Sequence, residues 1–438
     1  MKINTNSYQQ TLIGCLRSAR FWFFIFIGLA LWQGYYITRD SVDVPFLDEW
    51  ETLRSGALGY PLNWSWLIGF HNEHRMLWTK LQIFIHWIID GWNLRHIIIE
   101  NYIIYLGMIG FVYQDIKKDF PYLSRALLWF FLCFSLSTLP VENHALGFQS
   151  NVHFSLFFFL LGVQQLFRQN IKLRPLLLGS LSLVSSAFAL SSGVIFALVT
   201  MTLWCITYVL KNQTNKKNML IVISIISMGI IFWFYGYQKP DYHPALVWPT
   251  TWLFYAFFLN LMSLQLGYEI VSVWLGIIAF FCLFISIVYV FYKRAKTLSF
   301  AHAKWVTIAL SILAMNASIA MSRAGFNDIK YAKLSRYAEP GFLLVLVLFI
   351  FISELQSLHV RLGRYLLSFT IIFLLIGHID NWRYVIYTRI FSKRQQSLTC
   401  VMTHLKEPNE TQAICPVYPG DIKPMLKQAQ SLNVSFTR

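Results

Sequence analysis

The sequence VWLGIIAFFCLFISIVYVF, residues 273–291, has no charged residue and is closely followed by Lys293 and Arg294. About 20 apolar residues are enough to cross the hydrocarbon core of a bilayer as one helix. Lipid offers no partner to an open backbone group, so such a run must be helical. The surrounding stretch Gly267–Phe291 is therefore predicted to be a membrane span that ends on the basic, cytoplasmic side.

Similar apolar runs recur along the 438 residues, of which 56% are hydrophobic and 13% charged. Average soluble domains contain about twice that share of charged residues, which excludes a soluble protein. The net charge of +16 suggests nucleic acid as one partner. However, the Lys and Arg residues lie in short loops between apolar runs, as the positive-inside rule predicts, and do not form one stripe. The sequence indicates an all-α polytopic membrane protein that does not bind nucleic acid.

About eleven spans are predicted, with the N-terminus in the cytoplasm and the C-terminus outside. The first span, Phe21–Ile37, follows Arg17 and Arg20, which places the N-terminus inside. The others are Ile97–Tyr113, Ala126–Leu139, Phe154–Phe167, two spans within Pro175–Leu210 that turn at Ser191–Gly193, Met219–Tyr235, Gly267–Phe291, Val306–Met321, Gly341–Ile352 and Tyr365–Ile376.

Two further apolar segments are predicted not to cross. Residues 77–90 have helical apolar spacing with a polar face, which is typical of an interfacial helix. Counting that helix as a span would move Lys117 and Lys118 to the outside, against the positive-inside rule. Only one crossing fits between the outer loop that precedes Thr251 and the cytoplasmic Lys293 and Arg294, so Thr251–Leu266 is predicted to be re-entrant or interfacial.

The predicted organisation is a membrane module, residues 1–380, with a first outer loop at 38–96 and an outer tail at 381–438. Cys400 and Cys415 lie in this tail. Disulfides persist outside the cytoplasm, so the two cysteines form either a bridge or two free thiols. The sequence has no CxxC spacing, so no zinc or redox motif is predicted.

Four polar clusters are predicted to meet on the outer face. Charged groups near lipid are costly and usually line a cavity or a pathway. The clusters are Asp43, Asp48 and Glu49; His71-Asn72-Glu73-His74-Arg75; Glu142-Asn143-His144 with Gln149, Asn151 and His153; and Arg323 through Asn327, Asp328, Lys330 and Lys333 to Ser335-Arg336-Tyr337-Ala338-Glu339.

These residue types fit the transfer of a sugar from a lipid phosphate. A carboxylate, Asp48 or Asp43, would accept the proton of the acceptor hydroxyl. Arg323, Arg336 or Arg75 would hold the leaving phosphate, because guanidinium binds phosphate through two parallel hydrogen bonds. The leaving phosphate needs no proton, so no separate acid is expected.

Each cluster also has a plainer interpretation. The acids of the first cluster would suit an ordinary solvated loop, and Glu73 would suit the start of a helix. His71, His74 and Glu73 are possible metal ligands, but their spacing matches no zinc motif. Glu142 and Gln149 would suit the cap of a re-entrant turn, and Arg323 would suit a topological anchor.

The clusters also carry a resemblance to a known family. Its residues are Asp48-Glu49-Trp50, His71-Asn72-Glu73-His74-Arg75, Glu142-Asn143 with Gly147-Phe148-Gln149, and Ser335-Arg336-Tyr337. With the chain length and hydropathy, they make the sequence similar to bacterial GT-C-type membrane glycosyltransferases, in particular the phage-encoded serotype-converting O-antigen glucosyltransferases.

This resemblance implies a GT-C-like fold in the bacterial inner membrane. It implies inverting transfer of a hexose, glucose in particular, from undecaprenyl phosphate-sugar to lipid-linked O-antigen on the periplasmic leaflet, without nucleotide or metal. An acid in the first outer loop is catalytic in the family pattern, so Asp48 is the first candidate and Asp43 the second, with Glu49 beside them. The substrate- or phosphate-binding candidates are His71, Asn72, Glu73, His74, Arg75, Glu142, Asn143, Gln149, Arg323, Ser335, Arg336 and Tyr337. Membrane lipids are a further partner, and a lipid-glucose flippase and synthase are implied by analogy alone.

Two other functions stay open. An O-antigen polymerase would also act on lipid-linked sugars, but it would be expected to have a large central outer loop rich in arginine, which this chain lacks. A flippase or transporter would place charged groups near the bilayer midplane. Here most charges lie at span ends, although Glu100 and Asn101 are exceptions.

Overall fold

The structure, a computed structural model, describes residue 14 and residues 16–54, 56–169, 172–213, 215–267, 270–294, 299–383, 386–406, 413–415 and 418–438. These ranges form α-helices and short 3-10 segments, and apart from two isolated bridges they contain no β-structure. The prediction of an all-α protein is confirmed.

Seventeen α-helices follow one another along the described chain. In order they are α1 Ala19–Asp40, α2 Trp64–Ile68, α3 Leu77–Asp90, α4 Leu94–Asp119, α5 Arg125–Cys133, α6 Val141–Ala145, α7 Ser150–Leu166, α8 Leu173–Ala189, α9 Ser192–Leu210, α10 Lys216–Phe234, α11 Trp252–Met262, α12 Val273–Arg294, α13 Phe300–Arg323, α14 Ala338–Leu358, α15 Val360–Arg383, α16 Ile386–Lys406 and α17 Lys423–Ser431.

Eight of these helices are long and apolar enough to cross a membrane: α1, α4, α9, α10, α12, α13, α14 and α15. The chain therefore has the character of a multi-pass membrane protein. Three more helices are apolar but shorter, namely α5 with the 3-10 turn that continues it, α8 and α11. The figure of eleven spans stays a prediction.

The local topology agrees with the sequence pattern at three places. Residues 77–90 form the separate helix α3, which ends at Gly91 in the left-handed conformation, with a φ of 75°. The apolar stretch Pro175–Leu210 divides into α8 and α9 at Leu190 and Ser191. The ambiguous stretch Thr251–Leu266 forms only α11 and one 3-10 turn, which is shorter than a crossing needs.

One group of basic residues lies at the end of the helical bundle opposite the first loop. Helix α4 runs from Leu94, whose N–H binds Asp43 in the first loop, to Asp119 at the opposite end. At that opposite end Lys304 bridges Asp115 and Asp119 at 2.7 and 2.5 Å. Basic residues gather at the same end of the neighbouring helices, namely Lys117, Lys118, Lys211, Lys216, Lys217, Lys293 and Arg294.

The tail packs against the first loop, at the end of the bundle where α4 begins. Trp50 and Trp92 of the loop region share one buried apolar cluster with Val401, Met425 and Phe436 of the tail. Burial of this apolar surface stabilises the arrangement. The predicted division at residue 381 falls inside α15, and this shared core joins the tail to the first loop.

Cys400 and Cys415 form a disulfide, with their Cα atoms 5.9 Å apart. Of the two alternatives that the sequence left open, the structure therefore has the bridge. It ties α16 to the segment that precedes α17.

Candidate functional site

A cavity of about 480 Å³ opens where the first loop, α6 and the start of α14 meet. Carboxylate, amide and basic side chains share its walls with apolar ones. The lining residues are Phe46, Leu47, Asp48, Glu49, Glu142, Leu146, Phe148, Gln149, Arg336, Lys393 and Gln396. Three of the four predicted clusters thus contribute to one cavity, and α16 adds a basic wall that the sequence did not suggest.

Asp48 lies in a 3-10 segment, Leu47–Leu53, at the mouth of this cavity. Its side chain is exposed to solvent, but the protein atoms around it still remove part of its hydration. This partial desolvation raises the pKa of Asp48. The positive charge of Arg336 opposes the rise, and the negative charge of Glu73 adds to it. A carboxylate with a raised pKa is a stronger proton acceptor than an ordinary aspartate.

Glu49 holds the backbone that carries Asp48. Its carboxylate accepts hydrogen bonds from the N–H of Phe46 at 2.8 Å and from the N–H of Phe148 at 3.2 Å. The side chain is 1% exposed, and the Arg394 guanidinium lies 3.8 Å away. Glu49 therefore joins the first loop to the segment after α6, in the role of a positioning residue.

Gly147 permits this close approach of the two segments. A Cβ at this position would lie 3.0 Å from the Ile97 side chain and 3.3 Å from the Glu49 carboxylate. Larger residues would push the first loop away from Phe148.

Asp43, the second predicted base, is not among the residues that line the cavity. Its carboxylate accepts a hydrogen bond from the N–H of Leu94 at 2.9 Å, at the start of α4. Burial raises the pKa of Asp43, although hydrogen bonds from Ser435 and Leu94 oppose the shift. The structure thus separates the two acids: Asp48 faces the cavity and Asp43 caps a helix.

Arg336 brings a guanidinium to the same cavity as Asp48. Its Nε lies 3.5 Å from the Glu142 carboxylate, and its side chain is 45% exposed, so donors remain available to a ligand. The backbone around it is docked on α6. The Ser335 hydroxyl accepts a hydrogen bond from the Glu142 N–H at 3.3 Å, and the Asn143 amide donates to the Arg336 carbonyl at 3.3 Å. Tyr337 follows and packs partly buried beside Leu139 and Ala338.

A second charged group lies beside the cavity and is centred on Glu73. Its carboxylate pairs with Arg323, with His243 at 3.4 Å and with His74 at 3.6 Å. Burial works against ionisation of Glu73, but His74, Arg323 and His243 outweigh it, so its pKa lies below the ordinary value. Arg323 therefore already has Glu73 as its ionic partner, whereas the more exposed Arg336 has donors available for a ligand.

The cluster His71–Arg75 forms a tight turn. The backbones of His71 and His74 are hydrogen bonded to each other, and the exposed Asn72 has a left-handed φ of 51°. Burial lowers the pKa of both histidines to about 4, although the Glu73 carboxylate opposes this shift.

Arg75 differs from the phosphate-binding role that the sequence suggested. It is 4% exposed, and its guanidinium donates to the backbone carbonyls of Ile68, Phe232, Trp233 and Tyr235. These bonds fix the end of α10 against the first loop. Its donors are occupied by the backbone, which is why it does not reach the cavity.

Sequence reasoning missed the basic residues of α16. Lys393 lines the cavity, while its neighbour Arg394 is fully buried and donates to the carbonyls of Ala145, Val42 and Val44. The only hint in the sequence was that Lys393 and Arg394 are adjacent basic residues in the tail, which was predicted to be a separate unit from the membrane module. Nothing in the sequence showed that this helix folds back onto the first loop.

Comparison with known proteins adds no relative: no family model, no curated protein and no solved structure matches the chain.

Proposed function

We propose that this protein is an inverting membrane glycosyltransferase that moves a hexose, glucose as first candidate, from undecaprenyl phosphate-sugar to lipid-linked O-antigen. The observation that carries the proposal is that Asp48 and Arg336 line one cavity at one end of a bundle of membrane-length helices. Proton acceptor and phosphate holder, the two groups that the reaction needs, are therefore available together.

The reaction assigns one task to each group. Asp48 accepts the proton of the acceptor hydroxyl while the hydroxyl oxygen bonds to the anomeric carbon. The bond between that carbon and the phosphate oxygen breaks, and its electron pair leaves with the lipid phosphate. Arg336 binds the phosphate oxygens and offsets the charge that develops on them, and Lys393 adds a second positive charge to the cavity.

The surroundings of these two groups fit their tasks. The raised pKa of Asp48 favours proton capture. Glu142 lies 3.5 Å from Arg336 and orients the guanidinium without burying it. Gln149 also lines the cavity and offers an amide that can bind sugar hydroxyls.

The cavity is proposed to face the periplasm, with the protein in the bacterial inner membrane. Supporting this, the basic ends of α4, α9, α10 and α12 lie at the opposite end of the bundle, as cytoplasmic ends do under the positive-inside rule. The Cys400–Cys415 disulfide on the cavity side fits an oxidising compartment. A lipid-glucose flippase and synthase are the proposed partners that supply the donor.

The proposal is tested by reconstituting the purified chain in liposomes with undecaprenyl phosphate-[14C]glucose and lipid-linked O-antigen. Transfer of label to the acceptor is expected for the natural chain and for Asp241→Asn, a control at an exposed acid. Asp48→Asn should lose about 100-fold or more of the rate, the range of general-base contributions. The proposal fails if the natural chain transfers none of several polyprenyl phosphate hexoses, or if Asp48→Asn retains full activity.

A further inference from the structure

A buried group of two histidines and one glutamate lies behind the cavity wall. His144 of α6, His153 of α7 and Glu339 of α14 place their ligand atoms within 4.8 Å of one another. All three side chains are at most 1% exposed. The reaction proposed above uses none of them.

The hydrogen bonding of this group is incomplete. The Nε2 of His153 lies 2.9 Å from the Glu339 carboxylate, but the nearest His144 nitrogen is 4.0 Å from the same oxygen. Both ring nitrogens of His144 and the second carboxylate oxygen of Glu339 have no hydrogen-bond partner. Burying polar atoms without a partner is unfavourable, so a ligand between these side chains would stabilise them.

We infer that His144, His153 and Glu339 form a binding site for a divalent transition-metal ion, with Zn²⁺ as the first candidate. Two imidazoles and one carboxylate are a ligand set that Zn²⁺ accepts, whereas Mg²⁺ and Ca²⁺ prefer oxygen ligands. This departs from the expectation, drawn from the sequence, of a chain without metal.

The distances fit one ion after a small adjustment. Ligand atoms at about 2.1 Å from a tetrahedral ion are about 3.4 Å apart. The His153–Glu339 and His144–Glu339 separations of 2.9 and 4.0 Å lie on either side of that value. Asn143 also interacts with Glu339 through a side-chain hydrogen bond, which helps to orient that carboxylate.

The position of the three ligands along the chain indicates what the ion would do. His144 lies two residues after the cavity residue Glu142, while His153 and Glu339 lie within a helical turn or so of Gln149 and Arg336. A bound ion would hold α6, α7 and α14 together and thereby fix the spacing of the cavity wall. The site is thus a structural clamp, and its ion does not touch the substrate.

The experiment uses the full chain, purified in detergent with an affinity tag that contains no histidine. Metal content is measured by mass spectrometry after gel filtration. The ion is then removed with a chelator, and Co²⁺ is titrated into the metal-free chain while its visible d–d absorption is recorded. About one equivalent of Zn²⁺ is expected per chain, together with tetrahedral Co²⁺ bands. His144→Ala and His153→Ala should each weaken binding at least tenfold.

Two controls separate this site from other metal ligands. His86→Ala removes a histidine from the more exposed group of His86, Asp90, His96 and Glu100, which also combines two histidines with carboxylates, and should leave binding unchanged. Cys400, His404 and Cys415 also lie close together, but the disulfide leaves no thiol there to bind an ion, so the double variant Cys400→Ser/Cys415→Ser excludes binding by any reduced fraction of the chain.

The outcomes that overturn the inference are specific. A natural chain that binds neither Zn²⁺ nor Co²⁺ excludes the site, as does binding that survives His144→Ala or disappears in the cysteine variant. If the histidine variants do not fold, the unfolding temperature of the natural chain decides: it should fall when a chelator removes the ion and recover when Zn²⁺ is added back, equally in His86→Ala. No change with either treatment would refute the clamp.

Discussion

Asp48 and Arg336 line the same cavity, although one belongs to the first loop and the other to the segment before α14. The Arg336 charge opposes the rise in the pKa of Asp48 that burial causes. The shared cavity and this electrostatic interaction join two polar clusters that are distant in sequence into one candidate site. It also makes the roles of the two residues separable by experiment.

Replacing Arg336 should impair transfer more than it impairs folding. Arg336→Gln removes the charge that would bind the leaving phosphate, and the loss of one such donor costs about 100- to 1,000-fold in rate. Arg336→Lys should recover only part of the activity, because an ammonium does not form the paired hydrogen bonds of a guanidinium. Steady-state kcat on the lipid donor is the measurement. Arg54→Gln, at an exposed arginine of the first loop, serves as control, and equal losses in both variants would contradict the role of Arg336.

The pH profile of transfer should depend on Glu73. Asp48 must be ionised to act as a base, so activity falls as the pH drops through its pKa. Glu73 raises that pKa, so Glu73→Gln should shift the acid limb of kcat/KM to lower pH. Glu51→Gln, in the 3-10 segment that also carries Asp48, is the control. An acid limb that stays in place in Glu73→Gln, or moves upward, would argue against Asp48 as the base.

Asp43 and Asp48 should respond to substitution in opposite ways. Asp43 accepts the Leu94 N–H at the start of α4, so Asp43→Ala should lower the free energy of unfolding by about 1 kcal/mol, the usual value of such a cap. Its folded fraction should keep the natural kcat. Asp48→Ala should leave the unfolding temperature nearly unchanged and abolish most of the transfer. Unfolding temperature and kcat measured on the same preparations distinguish the two residues, and the assignment fails if Asp43→Ala is the less active protein.

The disulfide should stabilise the tail. It joins residues 15 positions apart, and closing a loop of that length contributes about 3 kcal/mol in the chain-entropy account. Cys400→Ser should therefore lower the unfolding temperature, and reductant should lower that of the natural chain alone. Cys282→Ser, at a free cysteine of α12, is the matched control. An unfolding temperature that does not respond to reductant would show that the bridge contributes nothing.

Hydropathy predicted the helices well because an apolar run in lipid has one stable conformation. The separate helix α3, the break between α8 and α9 and the short α11 all follow from charge placement and apolar spacing. Ala126–Leu139 was less predictable, since α5 ends at Cys133 and a 3-10 turn continues only to Leu136. Local hydropathy does not reveal such an early end.

The site was predictable in composition but not in detail. The acids and arginines were found because charged residues are rare in this sequence and therefore conspicuous. The sequence did not show which of them are hydrogen bonded to backbone groups, as Arg75 and Asp43 are. Nor did it show which line the cavity, as Asp48 and Arg336 do. That choice depends on long-range packing, in which the tail helix α16 takes part.

The buried pair of Glu49 and Arg394 should contribute to the stability of the fold around the cavity, whereas Lys393 should contribute to the affinity of the cavity for the lipid phosphate donor. Arg394→Met leaves the Glu49 carboxylate buried without its partner and removes donors to three carbonyls, so a loss of about 3 to 5 kcal/mol in unfolding free energy is expected. Glu49→Gln/Arg394→Met should be less destabilised than the sum of its single variants, because no unpaired charge remains.

The adjacent substitution Lys393→Met provides the contrast. Lys393 lines the cavity, so its loss should raise KM for the phosphate-bearing donor and leave the unfolding temperature nearly unchanged. Thermal unfolding together with donor titration separates the two neighbours, since one side of α16 is buried against the first loop and the other faces the cavity. If Lys393→Met proved as unstable as Arg394→Met while keeping the natural KM, the basic wall contributed by α16 would have no part in binding the donor.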